Sequence, residues 1–211
     1  MFSALRCTQC RQIFRLSAAH GEVESPTGRV CRSCGLGRAA TLRTIKATDQ
    51  LHGDTQELIR GLKYHNRRGV VAELADQLVR SIINDPACPQ YEIVTWAPTS
   101  RVRQRQRGYD QSELLARAVA ARLGIKCRRL LYRDRSAPQT GRNREQRLRG
   151  PIFKARPMRR SYRVLVIDDV VTTGSTLRAA AHALNLAGAQ EVCLLAVAAT
   201  PRDRSTNSRV A

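Results

Sequence analysis

Two apolar runs in the last third of the chain, Val164-Leu165-Val166-Ile167 and Val192–Ala199, contain no polar alternation. Continuous runs of this kind suit strands covered on both faces, as in a parallel sheet. Between them the pattern turns helical from Ser175 to Ala187 and stops at Gly188. Upstream, Leu58, Ile59 and Leu62 begin a helical stretch, and Val71, Leu74, Ala75, Leu78 and Ile82 fall on one face of a second helix that Asp85-Pro86 ends. Ile93-Val94-Thr95-Trp96 predicts a short strand closed by Ala97-Pro98. Asp110, with Glu113 three residues on, has the form of a capping box. Leu115, Val119 and Leu123 then recur at four-residue intervals before Gly124. A further strand is expected at Thr41–Ala47. Strands alternating with helices predict an α/β fold built on a parallel sheet with right-handed crossovers.

The ends of this pattern carry different compositions. The first 38 residues hold Cys7-x2-Cys10 and, twenty residues later, Cys31-x2-Cys34, among turn-forming glycines. Two such knuckles complete a closed tetrahedral set of four thiolates around a structural Zn2+. A segment so short buries little core, so metal binding would supply most of its folding free energy. The organisation expected is a zinc module over 1–38, the α/β domain over 39–200, and a tail over 201–211 with too little apolar content to order it. Residues Arg133–Gly150 carry six arginines and little periodicity, which predicts a long mobile loop.

Charge narrows the range of ligands. The chain has 37 Lys+Arg against 17 Asp+Glu, a formal net charge of +20, which favours polyanions such as pyrophosphate, nucleotides or nucleic acid. Arg101, Arg103, Arg105 and Arg107 form one cluster, and Arg142, Arg144 and Arg147 lie in the long loop. Aromatic residues make up only 4%, too few for a broad base-stacking platform. No apolar run approaches the ~18 residues of a membrane span, and no secretory leader pattern opens the chain. The expected location is cytoplasmic.

The chemistry concentrates where Val164–Ile167 runs into Asp168-Asp169 and then Val170-Val171-Thr172-Thr173-Gly174-Ser175-Thr176. Hydroxyls and free amides at a helix N-terminus make a cradle for a phosphate monoester, and Gly174 permits close backbone approach. No lysine follows the glycine, so the stretch is not a Walker A loop. Two carboxylates beside a phosphate cradle should face sugar hydroxyls or Mg2+. A ribose 5-phosphate satisfies both ends.

Val164–Thr176 resembles the phosphoribosyl pyrophosphate motif of type I phosphoribosyltransferases at every constrained position. The resemblance implies that Asp168 and Asp169 bind the ribose 2- and 3-hydroxyls and act as the catalytic acids, while Val171, Thr172, Thr173, Gly174, Ser175 and Thr176 hold the 5-phosphate. Trp96–Arg101 resembles the pyrophosphate loop of that fold, which implicates Pro98, Thr99, Ser100, Arg101 and Arg107, with Arg142, Arg144 and Arg147 on a flexible lid. The block Arg107-Gly108-Tyr109-Asp110-Gln111-Ser112, together with Leu62-Lys63-Tyr64, Pro138-Gln139-Thr140-Gly141 and the four-cysteine module, is similar to the ComF competence family. Asp110 stands where that family frequently has asparagine. The resemblance implies phosphoribosyl pyrophosphate or ribose 5-phosphate as ligand, Mg2+ as its companion ion, and a role in single-stranded DNA uptake with an uptake helicase as partner. The alternative is a nucleobase-salvage phosphoribosyltransferase that releases pyrophosphate. A regulator that senses phosphoribosyl pyrophosphate is a third. The hood that would read an acceptor base falls on the zinc module or Leu51–Asn84, neither of which carries a base-reading pattern. Lys63 and Tyr64 read equally as ligand contacts or as a plain helix terminus.

Overall fold

The computed structural model describes residues 45–65, 67–86, 90–133, 151–158 and 160–201, together with the backbone of four short strands near the N-terminus. Those four are β1 (Ala4–Arg6), β2 (Ile13–Arg15), β3 (Glu24–Ser25) and β4 (Gly28–Arg29), paired antiparallel as β1 with β2 and β3 with β4. Cys7, Cys10, Cys31 and Cys34 lie outside the described residues, as do Arg142, Arg144, Arg147 and nearly all of the tail.

The remaining elements are β5 (Lys46–Gln50), α1 (Gly53–Tyr64), α2 (Val70–Ile83), β6 (Ile93–Trp96), α3 (Arg101–Arg107), α4 (Gln111–Leu123), β7 (Lys126–Cys127), β8 (Leu131–Arg133), β9 (Phe153–Ala155), β10 (Arg163–Val171), α5 (Ser175–Leu186) and β11 (Glu191–Ala199). Five strands form one parallel sheet in the order β5-β11-β10-β6-β7. From β6 the chain moves outward to β7, whereas from β10 it moves the opposite way to β11. Right-handed crossovers in opposite directions must use opposite faces, and the core divides accordingly. On one face α1, α2 and α4 bring Ile59, Leu62, Leu74, Leu78, Leu115 and Val119 against Val94, Trp96, Leu165, Ile167, Cys193 and Leu195. On the other, α5 and the β8-β9 pair bring Leu177, Ala180, Leu184, Leu131 and Phe153 against Ile93, Val164, Val166, Val192 and Leu194. Alternate residues of each strand serve alternate faces, so an uninterrupted apolar run is what a doubly covered strand requires. The parallel α/β prediction holds.

Four details differ from the sequence reading. The strand expected at Thr41–Ala47 is seen as β5, Lys46–Gln50, and runs further than expected because it pairs with the carboxyl half of β11, Lys46 opposite Leu195 and Gln50 opposite Ala199; residues 41–44 lie outside the described residues. Strand β10 does not stop at Ile167 but continues through both aspartates to Val171 on β11's ladder. Arg101–Arg107, which the sequence presents as a charge cluster with candidate pyrophosphate contacts and no element of its own, is helix α3. It has no apolar face to betray it and is held at its ends: Ser100 accepts a hydrogen bond from Arg103 N at 3.3 Å, and Gly108 closes it at φ 79°. Strands β8 and β9, absent from the sequence reading, pair antiparallel with Arg133 opposite Phe153, while the rest of the predicted loop, 134–150, lies outside the described residues.

Candidate functional site

Neighbouring strands whose continuations leave in opposite directions open a crevice at their carboxyl ends, where ligands of open α/β sheets bind. Here those strands are β6 and β10. Their ladder ends with Ile167 opposite Trp96, and Ala97 N donates to Ile167 O at 3.2 Å as the chains part. Beyond that point β10 runs on alone on this side, carrying Asp168 and Asp169 past the last residue of β6.

The two acids partly satisfy their own backbone. Asp168 Oδ1 accepts from Asp169 N at 2.9 Å, and Asp169 Oδ1 accepts from Val170 N at 2.6 Å. Each also takes a partner from a distant element. Ser112 Oγ, in the first turn of α4, donates to Asp168 Oδ1 at 2.8 Å, and Lys63 Nζ, at the end of α1, lies 3.0 Å from Asp169 Oδ2. Burial, with the neighbouring Asp169 charge second, pushes the Asp168 carboxyl up to about 7; the Ser112 hydroxyl and the Lys63 charge act against that rise. One cation thus faces two adjacent carboxylates. Among the described residues, no group of three or more His, Cys, Asp or Glu side chains is arranged to hold a metal ion.

After β10 the chain turns through Thr172–Gly174 into α5. Gly174 sits at φ 73°, and a Cβ there would lie 2.5 Å from Ile45 Cδ1 and 2.8 Å from Arg178 Nη1. The backbone conformation therefore demands glycine, and the ends of the Ile45 and Arg178 side chains would have to shift for any Cβ. Thr173 Oγ1 donates to Ser175 Oγ at 3.0 Å and accepts from Ser175 N at 3.3 Å, and Arg178 Nη2 donates to Thr173 O. No acid lies in the first turn of α5, so the amides and hydroxyls of Thr172–Thr176 form a turn suited to an anion.

Across the crevice, β6 ends in Ala97-Pro98-Thr99-Ser100 and enters α3. Asp110, only 5% exposed, uses both carboxylate oxygens: Oδ1 caps α4 through Ser112 N at 3.2 Å and Oδ2 accepts from Thr99 N at 2.9 Å. Burial holds its carboxyl above the usual range against these bonds. The reciprocal half of the capping box is absent, because Glu113 pairs instead with Arg117 at 2.8 Å. Arg101, Arg103 and Arg105 are exposed, while Arg107 is half-buried with its guanidinium 5.3 Å from the centroid of the Tyr64 ring. Tyr109 donates to Leu62 O. The end of α1 is therefore fastened to the α3–α4 junction, which positions Lys63.

Of the residues singled out from the sequence, the crevice brings together Asp168, Asp169, the turn Val171–Thr176 and the loop Pro98–Arg101. Arg107 turns to Tyr64. Ser112 and Asp110 were read only as parts of the Arg-Gly-Tyr-Asp-Gln block and a helix cap, and no sequence spacing ties them to Asp168 or Thr99. Gln111, 1% exposed, is buried beside them with its Nε2 unpartnered.

Residues 110–209 match the phosphoribosyl transferase domain. The chain is similar to competence protein F of Haemophilus influenzae, with 27% identity over 146 residues, 64% of this chain and 63% of that protein, so the match spans just under two thirds of the relative. It is also similar to DNA utilization protein YhgH of Salmonella typhi, with 27% identity over 177 residues, 79% of this chain and 78% of that protein. Among solved structures, the glutamine phosphoribosylpyrophosphate amidotransferase of B. subtilis, complexed with ADP and GMP, superposes with a TM-score of 0.45 at 22% identity, over 68% of this chain and 30% of that one. The matched domain covers β10, its acids and the turn into α5, so this part of the chain is a phosphoribosyl transferase domain, and the two relatives, a competence protein and a DNA utilization protein, are what a ComF-like chain resembles.

Proposed function

We propose that this protein binds a 5-phosphoribosyl group, as phosphoribosyl pyrophosphate or ribose 5-phosphate, and serves single-stranded DNA uptake during natural transformation. The observation that carries the ligand is the carboxyl end of β10: two acids for the ribose 2- and 3-hydroxyls, followed directly by the Gly174 turn for the 5-phosphate. The loop Pro98–Arg101, with Arg107 near it, would face the pyrophosphate, and Arg142, Arg144 and Arg147 would close over it. The names of the two curated relatives, a competence protein and a DNA utilization protein, support the biological role. The exposed arginines of α3 offer charge for a phosphate backbone, and an uptake helicase would be the partner of the N-terminal module. In this reading the protein works in the cytoplasm; among the described residues no helix is long and apolar enough to cross a membrane.

A magnesium ion fits the donor set. Two adjacent carboxylates are hard oxygen ligands, and Lys63 offsets only one of their two charges. Asp168 and Asp169 would hold it, directly or through water, and when bound it neutralises pyrophosphate charge. The chain's own residues do the remaining work: Asp168 and Asp169 orient the ribose, the Thr172–Thr176 amides fix the phosphate, and arginines offset the charge of a departing pyrophosphate. A structural zinc on Cys7, Cys10, Cys31 and Cys34 is part of the same proposal; metal analysis of reduced protein should find one zinc per chain, and well under one would sink it.

Calorimetry with phosphoribosyl pyrophosphate and magnesium, repeated on Asp168→Asn plus Asp169→Asn, tests the ligand. Binding is expected in the parent and lost in the double variant; unaltered binding in the variant refutes the site. The salvage reading rests on the same crevice. It would prevail if the double variant lost base-salvage growth while leaving transformation frequency normal in a complemented deletion strain.

A further inference from the structure

The pairing of Lys63 with Asp169 answers a question that sequence leaves even, and it reaches beyond the assignment of the acids. Lys63 and Asp169 are more than a hundred residues apart in the chain, lie 3.0 Å apart, and have side chains 19% and 14% exposed. A lysine at a helix terminus would ordinarily extend into water and favour the last carbonyls. This one instead turns inward to the sheet edge. Its helix end is secured from below by Tyr109 on Leu62 O and from the side by Arg107 over Tyr64, so its reach to Asp169 is built into the fold.

We propose that Lys63 is a ligand-binding residue of this crevice, supplying at Asp169 the positive charge that a divalent cation would otherwise have to supply, so that a phosphoribosyl monoester binds without a divalent cation. The inference rests on the phosphoribosyl reading above. Adjacent carboxylates within one partly buried site repel each other and draw in a counter-ion. An ammonium fixed at one of them leaves an ionised acceptor for a sugar hydroxyl, and leaves only the second acid to be balanced. A monoester then finds its phosphate at the amides of the Gly174 turn and its hydroxyls at a pair of acids whose combined charge Lys63 has already reduced by one. Phosphoribosyl pyrophosphate differs, because its diphosphate carries further charge that Lys63 does not meet, and it should keep its need for magnesium.

The experiment is calorimetric titration of the full chain with ribose 5-phosphate and with phosphoribosyl pyrophosphate, each in magnesium and in EDTA, on the parent, Lys63→Met and Lys63→Arg. In the parent, removing magnesium should change the affinity for ribose 5-phosphate by less than about 3-fold while weakening phosphoribosyl pyrophosphate by about 10-fold or more. Lys63→Met should lose about 10-fold in affinity for ribose 5-phosphate in EDTA and recover most of it in magnesium. Lys63→Arg, which keeps the charge and tests the idea independently of any folding defect in the methionine variant, should resemble the parent. The inference is overturned if the parent needs magnesium for ribose 5-phosphate, or if Lys63→Met binds like the parent in EDTA. Failure of the parent to bind either ligand even with magnesium would overturn the phosphoribosyl reading along with it.

Discussion

The two strand ends that form the crevice are neighbours in one sheet, yet they are built by opposite means. Strand β10 presents two acids and then a turn whose amides and hydroxyls follow immediately in sequence. Strand β6 presents a bare loop, and its order comes from Asp110 eleven residues on, which reaches back to Thr99 N. One end is a local motif and the other a tertiary assembly. The carboxylates show the same division. Asp168 receives the Ser112 and Asp169 hydrogen bonds on one oxygen, Oδ1, whereas Asp110 accepts on both of its oxygens. An amide has only one acceptor oxygen, so the same Asp→Asn exchange should act in opposite directions at the two ends.

The largest effect is expected at the turn. Gly174→Ala places a Cβ at a positive φ and displaces the ends of the Ile45 and Arg178 side chains, the latter of which donates to Thr173 O in the same turn. It should abolish ribose 5-phosphate binding and cost about 2 kcal/mol or more in urea unfolding. Gly108→Ala, also at positive φ but with nothing within 4 Å, should cost only about 1 kcal/mol and leave that ligand bound. Equal losses at the two glycines would erase the contrast between them.

Asp168→Asn keeps both hydrogen bonds on its oxygen and removes a charge that burial disfavours. The folded carboxyl, at about 7, holds its proton longer than the unfolded one at 3.8. Between those values the native state therefore binds more protons, and stability falls as pH rises. The variant should be more stable than the parent by about 1–3 kcal/mol at pH 8 and show little difference at pH 4, while losing the ligand. A variant less stable than the parent at pH 8 would mean that the site compensates the charge more fully than its partners indicate.

Asp110→Asn must surrender either the α4 cap or the Thr99 brace. A loss of about 1 kcal/mol is expected. Phosphoribosyl pyrophosphate affinity should drop further than ribose 5-phosphate affinity, because the loose loop lies on the β6 side alone. Matching losses for both ligands would show the two strand ends to be coupled. The smallest structural effect belongs to Arg103→Gln plus Arg105→Gln on exposed α3. Unfolding should stay within about 0.5 kcal/mol of the parent, and the salt dependence of single-stranded DNA binding should become shallower. An unchanged slope would detach α3 from the DNA reading.

How legible each part was in the sequence follows from where its restraints come from. The boundaries of β6 and α4 emerged within a residue because their apolar positions and end caps are local: Ile93–Trp96 is buried on every residue, and Asp110 and Gly124 bracket α4. Helix α3 was missed because Arg-Val-Arg-Gln-Arg-Gln-Arg buries nothing and periodicity reports only burial. Strand β10 was cut short because charge normally marks the end of a covered strand. Here the strand runs on through both acids, since β11 still pairs with Asp168, Val170 and Val171 after β6 has stopped.

By itself the sequence determined the doubly covered parallel sheet, the acid pair and the turn that follows it, because each is encoded by contiguous residues whose burial, charge and backbone freedom act over a few positions. Only the tertiary structure decided that Ser112 would meet Asp168, that Lys63 would meet Asp169, and that Asp110 would brace the loop after β6. Those pairs join helices to a strand edge, and hydrogen bonds and ion pairs depend on distances that chain spacing does not set.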